Sequence, residues 1–218
     1  IQNKYDLTQT LEDFFVMSSS AMSLKDFKTF SIANDIESVL AQRKELFPKD
    51  GNIIKRASAY NLKTYMVDLL NRQDKMTMAH SVENRVPFLD KNMVELVASL
   101  PSELLVKKCS DIRHLNKPNT YTKHILKELA VKRFNTDFVY RKKSGFPLPL
   151  KDLFLKTKMN ELIEDQLLTG IKSRGVFNFD AVSKIWNKKN TEFSKSDIKN
   201  LWMFFAFETW AQLFLDQK

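Results

Sequence analysis

The chain has 218 residues, and its 35 Lys and Arg against 26 Asp and Glu leave a formal charge of +9. With 43% hydrophobic and 28% charged residues it has the balance of a folded protein, and intrinsic disorder is excluded as its class. Four isolated glycines (Gly51, Gly145, Gly170, Gly175) cannot build a Walker loop or a Gly-x-Gly-x-x-Gly dinucleotide turn, so no complete Gly-rich phosphate cradle is present.

One cysteine, Cys109, excludes an internal disulfide and a Cys-cluster zinc site, and predicts a reduced, intracellular setting. His80, His114 and His124 lack metal-ligand spacing and read as surface or packed side chains. No signal-peptide pattern opens the sequence. The longest apolar run, Leu201–Leu215, is too short to span a membrane and carries Glu208 near its centre.

Few glycines and recurrent i, i+3, i+4 apolar spacing predict helices almost throughout, with no strand longer than a residue or two. The first helix runs from Leu7 to Met17, with Leu7, Leu11, Phe14 and Phe15 on one face. Ser23, with Asp26 three residues on, predicts a capping box for a helix that ends near Phe47, before the turn signals Pro48 and Asp50-Gly51. A helix follows over about Ser58 to Asp74, with Leu62, Tyr65, Leu69 and Arg72 along one stripe. Val86 to Asp90 is a short apolar link, and Asp90 is the expected N-cap of a helix over Met93–Leu100 that Pro101 stops. A polar loop over Lys107–Thr120 precedes a basic helix over Tyr121–Phe134, and Tyr140–Pro149 is again a loop. Helices over Met159–Leu168 and Phe179–Asn187 lead to a last one over Asp197–Phe214. There Trp202, Phe205, Trp210 and Phe214 read as core packing. With no repeat or low-complexity linker, residues 1–218 read as one all-α helical unit.

Two segments carry candidate chemistry. From Asn71 to Asp90 charges are mixed with apolar residues in a stretch expected to be largely buried. Arg72, Asp74, Lys75, Glu83, Arg85 and Asp90 must then either form ion pairs or face a ligand. The run Arg141-Lys142-Lys143-Ser144-Gly145-Phe146 is a flexible positive loop. It is either a solvated basic turn or a place where a lysine neutralises phosphate charge.

Together these segments resemble one family. The order Arg72-x-Asp74-Lys75-Met76-x-Met78-Ala79-x-Ser81-Val82-Glu83-x-Arg85-Val86-Pro87-Phe88-Leu89-Asp90 is similar to the synthetase domain of glutamine-dependent (B-type) asparagine synthetases. Leu100-Pro101-x-Glu103-Leu104, Thr122-Lys123-His124-Ile125-Leu126-Lys127, the loop Tyr140 to Phe146, and the closing Arg174-Gly175-Val176-Phe177 and Leu201-Trp202-Met203 to Trp210 follow in the family's order. The resemblance covers about Tyr60 to Phe214.

The resemblance implies that ATP adenylates the side-chain carboxylate of aspartate and that ammonia, drawn from glutamine by a separate N-terminal domain, then displaces AMP. Mg²⁺ would accompany ATP. Lys143 matches the family's lysine that contacts pyrophosphate and is the implied catalytic residue. Arg72 and Asp74 fall on the helix lining the substrate cleft, Lys123 on the supporting basic helix, and Glu83 with Arg85 is implied as scaffold pairing beside it. The fold implied is the helical C-terminal portion of an α/β ATP-pyrophosphatase-type domain, acting in the cytoplasm. No metal ligand is assigned, and Mg²⁺ ligands are expected from phosphates and upstream carboxylates.

The departures are definite. Ser-Gly-Gly-x-Asp-Ser and Gly-Glu-Gly-Ser-Asp-Glu do not occur in this sequence, which begins at Ile1 and so shows no N-terminal cysteine; Cys109 is internal and cannot substitute. Lys127 replaces a common Arg, and Asn119-Thr120-Tyr121 stands where Gly is frequent before Thr122. The chain is therefore expected to be the C-terminal part of a longer enzyme, without the pyrophosphate-loop half and glutaminase domain, and inactive in isolation. Two other readings remain open: an amidotransferase of the same superfamily acting on another carboxylate such as a sugar acid, and a basic helical nucleic-acid-binding module.

Overall fold

A computed structural model of the chain describes residues 10–18, 20, 22–32, 35–107, 122–142, 148–156, 159–190 and 192–216. Leu7, Cys109, His114, Tyr121, Lys143 and Gly145 lie outside the described residues. The described residues fold as an all-α protein, their only β pairing being two isolated bridges, Ser31 with Phe177 and Val106 with Thr122. They divide into two compact units, one drawn from positions 1–45 and 147–218, the other from 46–146.

The first unit opens with α1 (Leu11–Ser18), α2 (Leu24–Phe30) and α3 (Ile36–Glu45). The second holds α4 (Ile53–Lys63), α5 (Tyr65–Met78), α6 (Lys91–Ser99), α7 (Ser102–Leu105), α8 (His124–Val131) and α9 (Thr136–Val139). The chain returns to the first unit through α10 (Leu150–Lys156), α11 (Met159–Leu162), a π-helical stretch (Ile163–Leu168), α12 (Thr169–Arg174), α13 (Phe179–Trp186) and α14 (Lys195–Phe214).

Several boundaries differ from the sequence reading for identifiable reasons. Ser23 does cap α2, its hydroxyl oxygen accepting from the Asp26 backbone N–H at 3.1 Å. The helix ends at Phe30 rather than near Phe47. There the backbone turns to pair with a distant segment: Asn178 N–H donates to the Phe30 carbonyl at 2.7 Å and Ile32 N–H to that of Val176 at 3.2 Å. The helix expected over Ser58–Asp74 is two. α4 starts early because the Asn52 side chain accepts from Ile54 N–H at 2.8 Å. Thr64 (φ −119°, ψ −82°) then breaks the run, its hydroxyl bonded to the Tyr60 carbonyl at 2.8 Å. Asp90 caps α6 as expected, accepting from Asn92 and Met93 N–H at 3.0 and 3.3 Å.

The core of the first unit gathers Phe30, Phe154, Ile163, Leu167, Ile171, Val182, Trp186, Leu201 and Phe204, with Phe30 and Phe204 edge to face at 5.2 Å between ring centroids. α14 starts on a reciprocal capping box between Ser194 and Asp197. Its buried stripe is Leu201, Phe204, Glu208 and Ala211, not the aromatic set read from the sequence. Trp202 and Phe205 are half-buried, whereas Trp210 and Phe214 are exposed. The aromatic phase misleads because Glu208, which seems to interrupt the apolar face, lies inside it at 2% exposure.

Arg174 makes that burial tolerable. From the end of α12 it donates to Glu208 from Nε at 3.0 Å and from Nη2 at 2.9 Å. It also reaches both carboxylate oxygens of Asp216, at 2.7 and 3.1 Å, and Gln212 donates to Glu208 at 3.2 Å. The carboxylate is fully occupied, as a buried charge requires. It also lies so close to α12 that a Cβ on Gly170 would stand 2.3 Å from it. The two carboxylates hold the guanidinium pKa far above its ordinary value, through hydrogen bonds from Glu208 and then Asp216.

Glu208→Gln, which removes one charge and keeps the volume, should lower stability to chemical denaturation by about 3 kcal/mol, because it leaves Arg174 under-compensated. Gly170→Ala should destabilise by steric overlap alone; an unchanged denaturation midpoint for either variant contradicts this packing.

Acid should act separately. Burial pushes the Asp197 pKa up, but bonds from Ser194 and Lys188 more than offset this and hold it below the ordinary value; Arg174 holds Asp216 low as well. Carboxylates depressed in the folded state stabilise above their unfolded pKa, about 3.9 for Asp, and that stability is lost as pH falls through the folded values. Urea midpoints should therefore be level from pH 7 to about 5 and fall below about 4, with a shallower fall in Asp197→Asn.

Candidate functional site

The residues singled out from the sequence all belong to the second unit, whose own core is small: Phe47, Ala57 and Tyr60 are its buried hydrophobic side chains among the described residues. Phe47 and Tyr60 pack with ring centroids 5.4 Å apart, and the Arg56 guanidinium lies over Phe47 at 5.0 Å while its Nε donates to the Pro48 carbonyl at 2.6 Å.

The segment from Asn71 to Asp90, expected to be largely buried, is mostly exposed; only Thr77, Asn84 and Leu89 are half-buried. Its charges are therefore solvated and do not have to be paired for the fold to stand. Arg72 and Asp74 are both exposed on α5. Two residues apart on a helix, they stand about 200° apart and do not share a face. Glu83 and Arg85 do pair, at 2.6 Å, with side chains 66% and 82% exposed. Screening by water leaves such a pair little energy, so Glu83→Gln should shift stability by no more than about 1 kcal/mol in a denaturation measurement.

The shape of the segment comes from its backbone. α5 ends with Ser81 in the left-handed region (φ 57°), where glycine is usual. Val82 N–H donates to the Thr77 carbonyl at 3.0 Å and Ser81 N–H to that of Met78 at 2.9 Å, the two bonds of a Schellman ending. The chain then runs through Glu83–Val86 into a single 3₁₀ turn, Pro87–Leu89, which delivers Asp90 to the start of α6. Phe88 is 63% exposed on that turn.

The basic residues converge elsewhere. Lys123, beside the Val106–Thr122 bridge, is left-handed (φ 58°), and this starts α8 at His124 rather than at Tyr121. Lys127 lies one helical turn further on. Its Nζ is buried, has no hydrogen-bond partner among the described residues and sits 5.5 Å from the centroid of the Tyr140 ring. Burial, and then the charge of Lys123, lower its pKa. The Tyr140 hydroxyl donates to Glu128 at 3.3 Å; burial and then Glu128 raise its pKa. α9, capped by Asn135, leads to Arg141, whose guanidinium lies 4.1 Å from the Phe138 ring and donates to the Phe138 carbonyl at 2.7 Å. Lys142 follows, exposed.

The structure thus brings Lys123 together with Lys127, and through Tyr140 with the start of the basic loop. It does not bring Arg72 and Asp74 to one surface. Sequence reasoning noted Lys127 only as a replacement for Arg; its i, i+4 spacing from Lys123 was the signal that could have marked it. The lysines suit phosphate oxygens. Among the described residues no three His, Cys, Asp or Glu side chains are grouped to hold a metal ion. No helix among the described residues is long and apolar enough to cross a membrane.

Residues 9–212 match the protein-family model described as asparagine synthase. Asparagine synthetase [glutamine-hydrolyzing] 1 of Bacillus subtilis is 28% identical over 151 residues, 69% of this chain and 22% of that protein. The asparagine synthetase [glutamine-hydrolyzing] of Gallus gallus is 30% identical over 118 residues, 52% of this chain and 20% of that protein. Amidase chry2 of Gibberella zeae is 37% identical over 129 residues, 50% of this chain and 18% of that protein. No solved structure matches. The chain spans about a fifth of the length of these relatives.

Proposed function

Since the chain belongs to the asparagine synthase family, we propose that it forms the helical C-terminal part of the synthetase domain of a longer ligase that turns aspartate into asparagine. The observation that carries this reading is the family match over nearly all of the chain, including the Arg72–Asp90 string and the basic loop that ends at Phe146.

The exposed apolar side chains of the second unit give physical support. Val67, Met76, Met78, Val82, Phe88, Leu96, Leu129, Phe134 and Phe138 are each between 50% and 66% exposed, or just below in the case of Phe138 at 48%. A unit with three buried hydrophobic residues among its described residues and this much apolar surface is what a helical layer looks like when further parts of the domain cover it. The pyrophosphate-loop half and the glutaminase domain would come from elsewhere in the longer protein.

In the proposed reaction an aspartate side-chain oxygen attacks the α-phosphorus of ATP and pyrophosphate leaves. Ammonia released from glutamine then attacks the acyl carbon, and AMP departs with the carboxylate oxygen. Negative charge grows on the leaving pyrophosphate, where a fixed cation is most effective. Lys143 is assigned that catalytic role. Lys123 supports the same charge, and Arg72 and Asp74 are assigned to the rim of the substrate cleft, with Glu83 and Arg85 as scaffold beside it. Mg²⁺ would be held by the nucleotide's phosphates and by carboxylates outside this chain. The partners are small molecules and the other parts of the same polypeptide, and the setting is cytoplasmic. A second reading is amidation of a different carboxylate, such as a sugar acid, by the same adenylation; one of the relatives carries a name other than asparagine synthetase.

A polypeptide spanning the full length of the relatives should release pyrophosphate in an aspartate-dependent way. Lys143→Ala should lower that rate by about 10²–10³, the usual effect of losing one electrostatic stabiliser. The isolated 218-residue chain should show no turnover. Pyrophosphate release with uronic acids and not with aspartate would transfer the assignment to the second reading. Robust turnover by the isolated chain would overturn the division of the site.

A further inference from the structure

We propose that the second unit is built to be covered by an acidic protein surface studded with apolar side chains, supplied by the part of the same polypeptide that lies outside this chain. The proposal rests on the reading of the chain as one part of a longer ligase, and adds the chemistry of what covers it. Its basis is how charge is divided along the sequence. Residues 46–146 hold 19 Lys and Arg against 10 Asp and Glu, an excess of nine cations. Residues 1–45 and 147–218 hold 16 of each and sum to zero. The whole formal charge of +9 therefore belongs to one unit.

No internal pairing can remove that excess. Every acid of the unit could sit in an ion pair, as Glu83 does with Arg85 and Glu95 with Lys91, and nine cations would still be left over. The first unit is already balanced by its own acids. One nucleotide, with its own Mg²⁺, neutralises only a few charges.

The cations also lie among the uncovered apolar side chains. On α5, exposed Arg72 precedes exposed Met76 by four residues and exposed Lys75 precedes exposed Met78 by three, which sets each pair on one face. Just past α8, exposed Lys132 and Arg133 lead into Phe134, whose ring lies 5.4 Å from that of Phe138. The Arg141 guanidinium lies 4.1 Å from the Phe138 ring. Arginine on an aromatic ring, beside exposed aliphatic side chains, is the make-up of a protein contact. A nucleic acid would use the cations but leave Val67, Met76, Met78 and Leu96, which offer no ring for a base to stack on, in water. A protein surface with more carboxylates than cations, set between apolar side chains, satisfies both.

The test is zero-length carbodiimide cross-linking of the full-length polypeptide, which joins a lysine to a carboxylate only where the two touch, read by peptide mass spectrometry. Lys75 and Lys132 should be joined to Asp or Glu residues outside this chain, whereas Lys28, exposed on α2 of the neutral unit, should not. A second measurement reads the sign of the interaction. The double reversal Lys132→Glu, Arg133→Glu should lower the thermal midpoint of the full-length polypeptide, the double change to Gln should lower it less, and Lys28→Glu should leave it level. Without an acidic partner the same reversal would relieve like-charge repulsion and raise the midpoint. The gap between wild type and the reversed variant should narrow as salt rises from about 0.1 to about 1 M, because screening shortens the reach of both charges.

Absence of such cross-links from both lysines, or a raised or unchanged midpoint on reversal, would overturn the proposal. A salt-steep mobility shift with duplex DNA or RNA, or flotation with phosphatidylserine vesicles, that protects the same lysines from acetylation would also overturn it, by giving the charge another partner. If the wild-type protein forms no AMP with any carboxylate, the adenylation reading fails separately. The cross-links need no turnover and still decide what covers this unit.

Discussion

A charge taken out of water has to find a partner, and this constraint shapes both units in opposite ways. In the first, Glu208 sits inside the apolar stripe of the last helix and is met by Arg174, Gln212 and the space left by Gly170. The guanidinium fork fills the carboxylate oxygens and binds Asp216 at the same time, so the end of α12 and the end of α14 are fixed to one another. In the second, half-buried Lys127 turns its Nζ away from water and has no such partner among the described residues. The first arrangement is self-sufficient and structural. The second is left open among the described residues.

What could be read from the sequence follows the same division between local and distant causes. Caps made of adjacent residues were legible: Ser23 and Asp90 sit where short polar side chains face free N–H groups. The all-helical class was legible from spacing and scarce glycine. The break after Phe30 was not, because its cause is a distant pairing, Phe30 with Asn178 and Ile32 with Val176. Nor was the phase of α14, since a stripe that includes Glu208 looks apolar only once Arg174 is known to reach it. No low-complexity linker marks the division into two units.

The candidate site was legible by identity more than by geometry. Residue types and order pointed to Lys143, Lys123 and the Arg72–Asp90 string. They did not show that this string is exposed, that Arg72 and Asp74 face different directions, or that Ser81 turns the chain through a left-handed residue. Periodicity assumes that a charged and apolar mixture folds inward. The small core around Phe47 and Tyr60 and the uncovered Met76, Phe88 and Phe134 make it an outward face instead.

If this helical layer serves an adenylating ligase, the fate of one oxygen shows it most directly. The full-length polypeptide would be supplied with aspartate labelled with ¹⁸O in its side-chain carboxylate, together with ATP and glutamine, and the products analysed by mass. Adenylation puts one labelled oxygen in AMP and none in inorganic phosphate or pyrophosphate. Label in inorganic phosphate with formation of ADP would show an acyl phosphate route and contradict it.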